Sequence, residues 1–419
     1  YQALRDYYHK WYGSDLQAIV VVGDINVDTI EVKIKKLWAD VPARANRGER
    51  PIYDINDNTE PIVSIVTDKE AQQTRIELEY KHNTLPEALK GTMIAYTQDV
   101  LNDLISTILN YRFSEITQNP EASFIAAFGY YGELVKAKDA FQMIAIPKEG
   151  QEKEALSDLL TEAEKAKRFG FTNAELARAK AEMLKNYEQT YNERDNRKNI
   201  TLTREYIRHY LDKECMPGIE WEYEMLQKFL PQVNVENLNR LAQSYVTDEN
   251  LIISFMAPDK EAVKLPTKEE ALTIFADVKA LNLEAPKEET VNKPLVKKAP
   301  KAGKIKSVTT NESLGTTEWI LSNGVKIVIK PTTFKKDEIL MSAFSYGGLS
   351  KVANVEDLPS ATVATDIIAY NGIGDFSAIE LEKYLSSKNA SVSPEINNYS
   401  EGFDGNSSIK DFETMLQLT

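Results

Sequence analysis

The sequence has 419 residues, of which 42% are hydrophobic and 27% charged, a composition typical of a globular protein with roughly two to four domains. Its formal net charge of −14 argues against a nucleic-acid partner, because an acidic protein repels the phosphate backbone. The single cysteine, Cys215, excludes an intrachain disulfide framework, and no apolar run approaches the roughly 20 residues of a membrane span.

The first predicted elements form a strand-turn-helix unit that lacks a beginning. Residues 2–11 read as the end of a helix, which Gly13 closes. The apolar run from Gln17 to Gly23 predicts a buried strand, and apolar residues at helical spacing over 30–38 predict a helix. At the other end of the sequence, Thr419 falls inside a predicted helix. We therefore expect the chain to be an interior part of a longer protein.

A second unit, over residues 60–283, alternates strands with helices. The predicted strands are residues 62–67, 74–80, 124–135, 141–146 and 251–256. A long helix is expected to begin at Pro86, and capping boxes at Thr172–Glu175 and Thr267–Glu270 predict the starts of two more helices. The order β-β-α-β-β-α-α-α-α-β predicts an α+β fold, with a mainly antiparallel sheet and helices packed on one face.

A change of composition then predicts a linker. Lysine and proline become frequent from about residue 284, and we assign residues 284–313 to a solvated tether. About 24 residues of extended chain would span roughly 80 Å. Beyond it, Asn323-Gly324 predicts a hairpin, and Ser377 with Glu380 predicts the start of a helix. Strands are expected over 390–396 and 401–406.

The three histidines do not form a recognisable metal site. His9 lies in an aromatic helix end, which favours a packed or surface role, and His82 is expected to be solvated at a turn. His209 follows Glu205 by four residues on one helical face, but this pair lacks a third ligand. From its residues alone, the sequence shows no complete active site.

Three segments resemble motifs of insulinase/pitrilysin-type zinc metallopeptidases. Arg5–Ile25 resembles the segment that closes the first domain of these enzymes, where an aromatic helix end leads into a core strand and Gly-Asp-Ile. Leu321–Ile329 resembles the L-x-N-G hairpin that starts each half, and Asp375–Leu385 resembles the F-S-x-x-E-L-x-x-x-L helix. The order of these motifs carries the resemblance across essentially the whole chain.

The resemblance implies repeated metallopeptidase-type domains. Residues 1–50 would be the C-terminal end of a first domain and residues 60–283 a second domain. Residues 284–313 would link the two halves of the enzyme, and residues 314–419 would begin a third, degenerate domain. In this family an H-x-x-E-H motif binds zinc through its two histidines and uses the glutamate as general base, with a second glutamate completing the site.

The motif positions in the third domain have lost their zinc ligands. Counting back from Gly372, they correspond to Val363, Asp366 and Ile367, and two of these side chains are hydrocarbon. No catalytic or metal-binding residue is therefore assigned in this chain. The resemblance places the intact motif, and with it the zinc of the parent protein, upstream of Tyr1.

A substrate-binding pair of the family, an arginine and a tyrosine seven residues apart, is also missing. Alignment puts Ser114 at the arginine position, with Arg112 two residues away and no tyrosine where one is needed. The pair is expected beyond Thr419, and the substrate-binding residues of this chain are unknown.

The implied function is peptide hydrolysis inside a chamber of two halves, with the peptide adding as a strand in the first domain. The partners would be a peptide substrate and the remaining domains of the parent chain, in the bacterial periplasm or cell envelope. The alternatives are a non-catalytic peptide-binding or assembly subunit of the same fold, and a helical scaffold unrelated to the family.

Overall fold

The computed structural model describes residues 1–43 and 51–419, and these form two compact units. The first unit comprises residues 1–176, 197–221 and 228–287, and the second comprises residues 177–196, 222–227 and 288–419. Residues 44–50, at the end of the first predicted domain range, lie outside the described residues. No helix in the described residues is long and apolar enough to cross a bilayer.

The first unit begins with helices and then builds a five-stranded sheet. Its strands are β1 (Ile62–Asp68), β2 (Arg75–Asn83), β3 (Phe124–Val135), β4 (Lys138–Pro147) and β5 (Leu251–Pro258). Its helices are α1 (Gln2–Trp11), α2 (Val27–Leu37), α3 (Met93–Thr117), α4 (Glu152–Phe169), the start of α5 (Asn173–Asn192), α6 (Asn199–Asp212), parts of α7 (Ile219–Phe229), α8 (Val235–Tyr245) and α9 (Lys268–Ala280).

The sheet has the order β1-β5-β2-β4-β3, and every pair except β1–β5 is antiparallel. Alternation along β2 shows which face is covered: Ile76, Leu78 and Tyr80 are buried, whereas Glu77 and Glu79 between them are half-buried. Helices α3, α4 and α8 and strands β4 and β5 contribute further core side chains. The mainly antiparallel α+β architecture predicted from the sequence is confirmed.

The predicted buried strand at residues 17–23 is wrong for the described chain. After the short helical turn Ser14–Leu16, the backbone is extended at Gln17, but these residues pair with no described strand and are exposed or half-buried. Their apolar side chains predict burial, yet a strand also needs a neighbour for its backbone N–H and C=O groups. Helix α2 follows as predicted, with its Asn26 side chain capping Thr29 N–H at 2.9 Å.

Two further details differ from the expectation. The long helix starts at Met93 and not at Pro86, because Thr92 caps it and Gly91 breaks the chain at a φ of 73°. A one-turn helix at Glu87–Leu89 occupies the region after Pro86. Five helices, α4 to α8, separate β4 from β5 where four were predicted.

The second unit contains two three-stranded antiparallel sheets. One has the order β6 (Ile305–Asn311), β7 (Thr316–Leu321), β8 (Lys326–Ile329), and the other has the order β10 (Ala390–Ile396), β11 (Ser400–Ser407), β9 (Ile339–Tyr346). Its remaining helices are α10 (Leu358–Asn371), α11 (Ala378–Leu385) and α12 (Phe412–Leu418). Strand β6 lies inside the range that composition assigned to the linker.

Local signals in this unit act as predicted. At the Asn323-Gly324 turn, Gly324 has a φ of 90° and Leu321 N–H donates to the Val325 carbonyl at 2.8 Å, which closes the β7–β8 hairpin. At α11, Ser377 and Glu380 form a complete capping box. These contacts depend on near neighbours in sequence, so their residue types are enough to predict them.

The two units repeat one topology. In the first, β2, α3, β3 and β4 give the strand order β2-β4-β3. In the second, β9 is followed by α10 and α11 and then by β10 and β11, with the order β9-β11-β10. In both, the first strand pairs with the last across the intervening helical segment. The two units thus share one strand arrangement, as expected for repeated domains.

Candidate functional site

The three positions that the sequence analysis assigned to the zinc motif share one face of helix α10. Val363, Asp366 and Ile367 follow the spacing i, i+3 and i+4, which brings side chains to the same side of a helix. All three are exposed to solvent. Valine and isoleucine carry no lone pair to donate to a metal, so two of the three positions cannot be ligands. Zinc does not fit this site.

Helix α10 ends at Gly372, the residue from which the three motif positions were counted. Gly372 has a φ of 83°, and a Cβ atom there would collide with the Phe376 carbonyl oxygen. Ile373 and Phe376 exchange backbone hydrogen bonds of 3.1 and 3.0 Å across the turn that leads to α11. The turn therefore requires glycine for its backbone and for its space.

The histidines are dispersed among separate elements. His9 is exposed on α1 beside the ring of Tyr8. His209 on α6 contacts the Glu214 carbonyl through Nδ1 at 2.8 Å, while Glu205 pairs with Arg197. In the described residues, no group of three or more His, Cys, Asp or Glu side chains is arranged to hold a metal ion.

The prediction that His82 is solvated at a turn is wrong. His82 lies within β2, is half-buried, and contacts the Tyr245 carbonyl through Nε2 at 3.0 Å. Its ring also packs beside those of Tyr131 and Tyr245, at centroid distances of 5.9 and 5.4 Å. Burial lowers the pKa of His82, although the hydrogen bond to the carbonyl opposes that change. The sequence missed this cluster because its three members come from β2, β3 and α8.

Arg112 occupies a buried ion pair. Its Nε and Nη2 atoms donate to the Glu175 carboxylate at 2.6 and 3.0 Å, and Nη2 also donates to the Gly170 carbonyl at 2.9 Å. Burial alone would raise the pKa of Glu175, but the Arg112 contacts and the Thr172 cap outweigh it and lower that pKa. Ser114, the aligned position, is half-buried on α3. The geometry gives Arg112 a structural role in joining α3 to the start of α5.

An acidic group lies beside the aromatic cluster. Asp99 and Asp103 are one turn apart on α3, and Asp139 is on β4. Although Asp99 as a whole is solvent-exposed, partial desolvation and the nearby charges of Asp103, Glu214 and Asp139 raise its pKa to about 6. Desolvation likewise raises the pKa values of Asp103 and Asp139. The group attracts positive charge, and no signal in the sequence had singled it out.

A polar cavity of about 530 Å³ lies within the second unit. It is bounded by the end of α5, the loop before β9 and the turn before α12. The carboxylates in its wall are already engaged: Asp411 accepts from Asn389 N–H at 2.8 Å, and Asp337 accepts from Asn192 Nδ2 at 2.8 Å. Both carboxylates therefore already have hydrogen-bond partners within the second unit.

Comparison with known proteins shows which proteins this chain is similar to. Residues 1–183 match the family model described as the peptidase M16 inactive domain. A zinc protease PQQL-like protein of Arabidopsis thaliana is 26% identical over 354 residues, which cover 83% of this chain and 33% of that protein. The probable zinc protease PqqL of Haemophilus influenzae is 22% identical over 423 residues, which cover 99% of this chain and 44% of that protein.

A solved structure gives the same picture at the level of the fold. The crystal structure of the periplasmic protease PqqL from Escherichia coli superposes with a TM-score of 0.59 at 18% identity, covering 100% of this chain and 46% of that one. The chain thus spans less than half the length of each of these proteins. The chain is therefore similar over most of its length to insulinase/pitrilysin-type zinc proteases, and its first 183 residues match the model of the inactive-type domain.

Proposed function

We propose that the chain is the non-catalytic central part of a two-half zinc metalloendopeptidase that hydrolyses peptides inside a chamber. The observation that carries the proposal is the match of residues 1–183 to the inactive-domain model, together with the hydrocarbon side chains of Val363 and Ile367 at the motif positions of α10. The parent would bind its zinc through residues outside the described chain, and this chain would form part of the chamber wall.

The proposed division of the chain into domains follows the repeated topology. Residues 1–50 complete a first peptidase-like domain, residues 60–283 form a second, residues 284–313 link the halves, and residues 314–419 begin a degenerate third domain. The exposed apolar side chains of α1 and α2, among them Val27, Val32 and Leu37, support this division, because such side chains normally pack against the rest of a domain. The remaining domains of the parent are therefore the expected partners, besides a peptide substrate.

The periplasm is the proposed compartment. It rests on the PqqL protease of Escherichia coli, which is periplasmic and shares the fold. The substrate of this protein is proposed only as a class, an unfolded or flexible peptide, because a chamber admits chains that can bend to fit it.

The test compares two preparations, the full-length parent and the chain of 419 residues. We expect the parent to contain about one zinc ion per chain and to cleave a quenched fluorescent peptide, with the activity abolished by a chelator and restored by zinc. The 419-residue chain should contain no zinc and show no cleavage. A parent without zinc or cleavage, but with measurable peptide affinity, would replace the peptidase with a peptide-binding or assembly subunit of the same fold.

A further inference from the structure

The lysine-rich segment after α9 follows an alternating pattern of burial. Val291, Lys293 and Leu295 are half-buried, whereas Asn292, Pro294 and Val296, which lie between and after them, are exposed. The segment therefore lies against a surface of the second unit, in contrast to the solvated tether predicted from its composition.

The surface is the start of helix α11, and Lys293 is the main contact. Its Nζ atom donates to Glu380 Oε1 at 2.7 Å and to the Asp375 carbonyl at 2.6 Å. The same ammonium group lies 4.6 Å from the ring centroid of Phe376, within the range of a cation–π interaction. One side chain thus binds three groups around the first turn of α11.

Two further ion pairs flank Lys293 along the segment. On one side, Glu289 Oε2 lies 2.7 Å from Lys383 Nζ, and the Lys383 side chain is only 6% exposed. On the other side, Lys297 pairs with the Asp375 carboxylate. The charges of the segment are therefore complementary to those of the α11 surface in three successive places.

The chain is also held before this segment begins. At the end of α9, the guanidinium of Arg168 donates to the carbonyls of Lys279 and Leu281 at 2.7 Å each. Between this contact and Glu288, residues 282–287 form no hydrogen bond or ion pair with any part of the described chain. These roughly six residues can span about 20 Å when extended.

We propose that residues 289–297 are a strap fastened to α11 by Lys293, so that the linker is free only over two short stretches, residues 282–287 and 298–303. The strap divides the predicted tether of about 24 free residues into two free stretches of about six residues each. The inference does not depend on the proposed peptidase activity, because it rests only on contacts of the linker and α11, and its test measures accessibility of the chain.

Limited proteolysis of the 419-residue chain tests the strap. Thermolysin cleaves before apolar residues such as Val291 and Leu295, and cleavage requires the local chain to detach and extend. We expect cleavage at these sites to be at least about tenfold slower than in a synthetic peptide of residues 285–300. Trypsin should cut after Lys287, within the free segment, at a rate close to that in the peptide.

Three variants make the measurement specific. Lys293→Met should accelerate thermolysin cleavage by about tenfold, whereas Lys293→Arg, which keeps the charge, should retain most of the protection. Lys298→Met is the matched control, because Lys298 directly follows the strap, is exposed and has no ion-pair partner among the described residues. Circular dichroism establishes that each variant remains folded.

Either of two results would overturn the proposal. The first is a wild-type strap that is cut as fast as the free peptide. The second is an equal acceleration in Lys293→Met and Lys298→Met, which would show that loss of any lysine loosens the segment and that Lys293 has no special place. If Lys293→Met does not fold, Lys293→Arg and the comparison of wild type with the peptide still decide the question.

Discussion

Asn110 on α3 hydrogen-bonds to both backbone groups of Gly129 on the edge strand β3. Gly129 N–H donates to Asn110 Oδ1 at 2.8 Å, and Asn110 Nδ2 donates to the Gly129 carbonyl at 3.3 Å. The side-chain amide thus bonds to the backbone of a strand that lies at the edge of its sheet. A Cβ atom at Gly129 would lie in ordinary van der Waals contact with Leu109 and Phe113 of α3, so Gly129 packs directly against this helix.

Replacing this amide should destabilise the first unit. Asn110→Ala leaves an N–H and a carbonyl of β3 without partners, and we expect the free energy of unfolding to fall by about 1–3 kcal/mol. Urea denaturation followed by circular dichroism measures the change. Asn110→Asp keeps an acceptor for the Gly129 N–H and should lose less. A loss below about 0.5 kcal/mol in Asn110→Ala would mean that water replaces the amide without cost.

The buried ion pair of Arg112 and Glu175 should be sensitive to loss of one partner. Arg112→Met leaves a desolvated carboxylate, and we expect a loss of about 3–5 kcal/mol of unfolding free energy at neutral pH. The double variant Arg112→Met with Glu175→Gln should recover part of that loss, because no unpaired charge remains and glutamine can still accept from Thr172 N–H. Additive effects of the two changes in a double-mutant cycle would contradict this account.

The acidic group on α3 should make stability depend on pH. The pKa of Asp99 is raised to about 6 in the folded protein, from an ordinary value of 3.8. The folded state therefore holds its proton more tightly than the unfolded state, and stability should increase as pH falls from 7 towards 4. Asp99→Asn should stabilise the protein at pH 7.5, by less than about 1 kcal/mol because the group is solvent-exposed.

The same substitution should have no effect near pH 4, where Asp99 is protonated in the folded protein. Thermal unfolding at pH 4 and pH 7.5 gives both values. Glu121→Gln, a carboxylate change on an exposed turn, serves as the control and should not alter the pH dependence. An Asp99→Asn variant that is equally stabilised at both pH values would show that the effect is not electrostatic.

Removing metal should leave the chain unchanged. Because α10 offers hydrocarbon side chains at two motif positions, dialysis against a chelator should shift the melting temperature by less than about 1 °C. The variant with Val363→His and Ile367→His is the positive control, since two histidines four residues apart face the same side of the helix. Added zinc should raise its melting temperature and not that of the wild type. A chelator-sensitive wild type would reveal a structural metal.

Local signals in the sequence were sufficient for much of the fold. The capping boxes of Thr267 and Ser377 and the turn at Asn323-Gly324 depend on residues four positions apart or fewer, and each has the expected geometry. The apolar face of α3 was also recognisable, because Leu104, Ile105 and Ile108 recur at helical spacing and are fully buried.

Features that depend on distant parts of the chain were not predictable in this way. The environment of His82 is built by Tyr131 and Tyr245, which lie far away in sequence. The contacts of Lys293 with α11 join residues more than 80 positions apart. The composition of the linker alone therefore indicated only a solvated tether. In each case the residue type is compatible with several environments, and tertiary packing selects one.

The free edge of strand β9 affects how this chain behaves in concentrated solution. Its eight residues, Ile339–Tyr346, include no charged residue and no proline, which are the usual barriers to edge-to-edge association. Leu340, Phe344 and Tyr346 are also largely exposed on one side of the strand. At high concentration the chain should therefore self-associate through β9, and a lysine in place of Ser342 would be the first change to make for a soluble, crystallisable preparation.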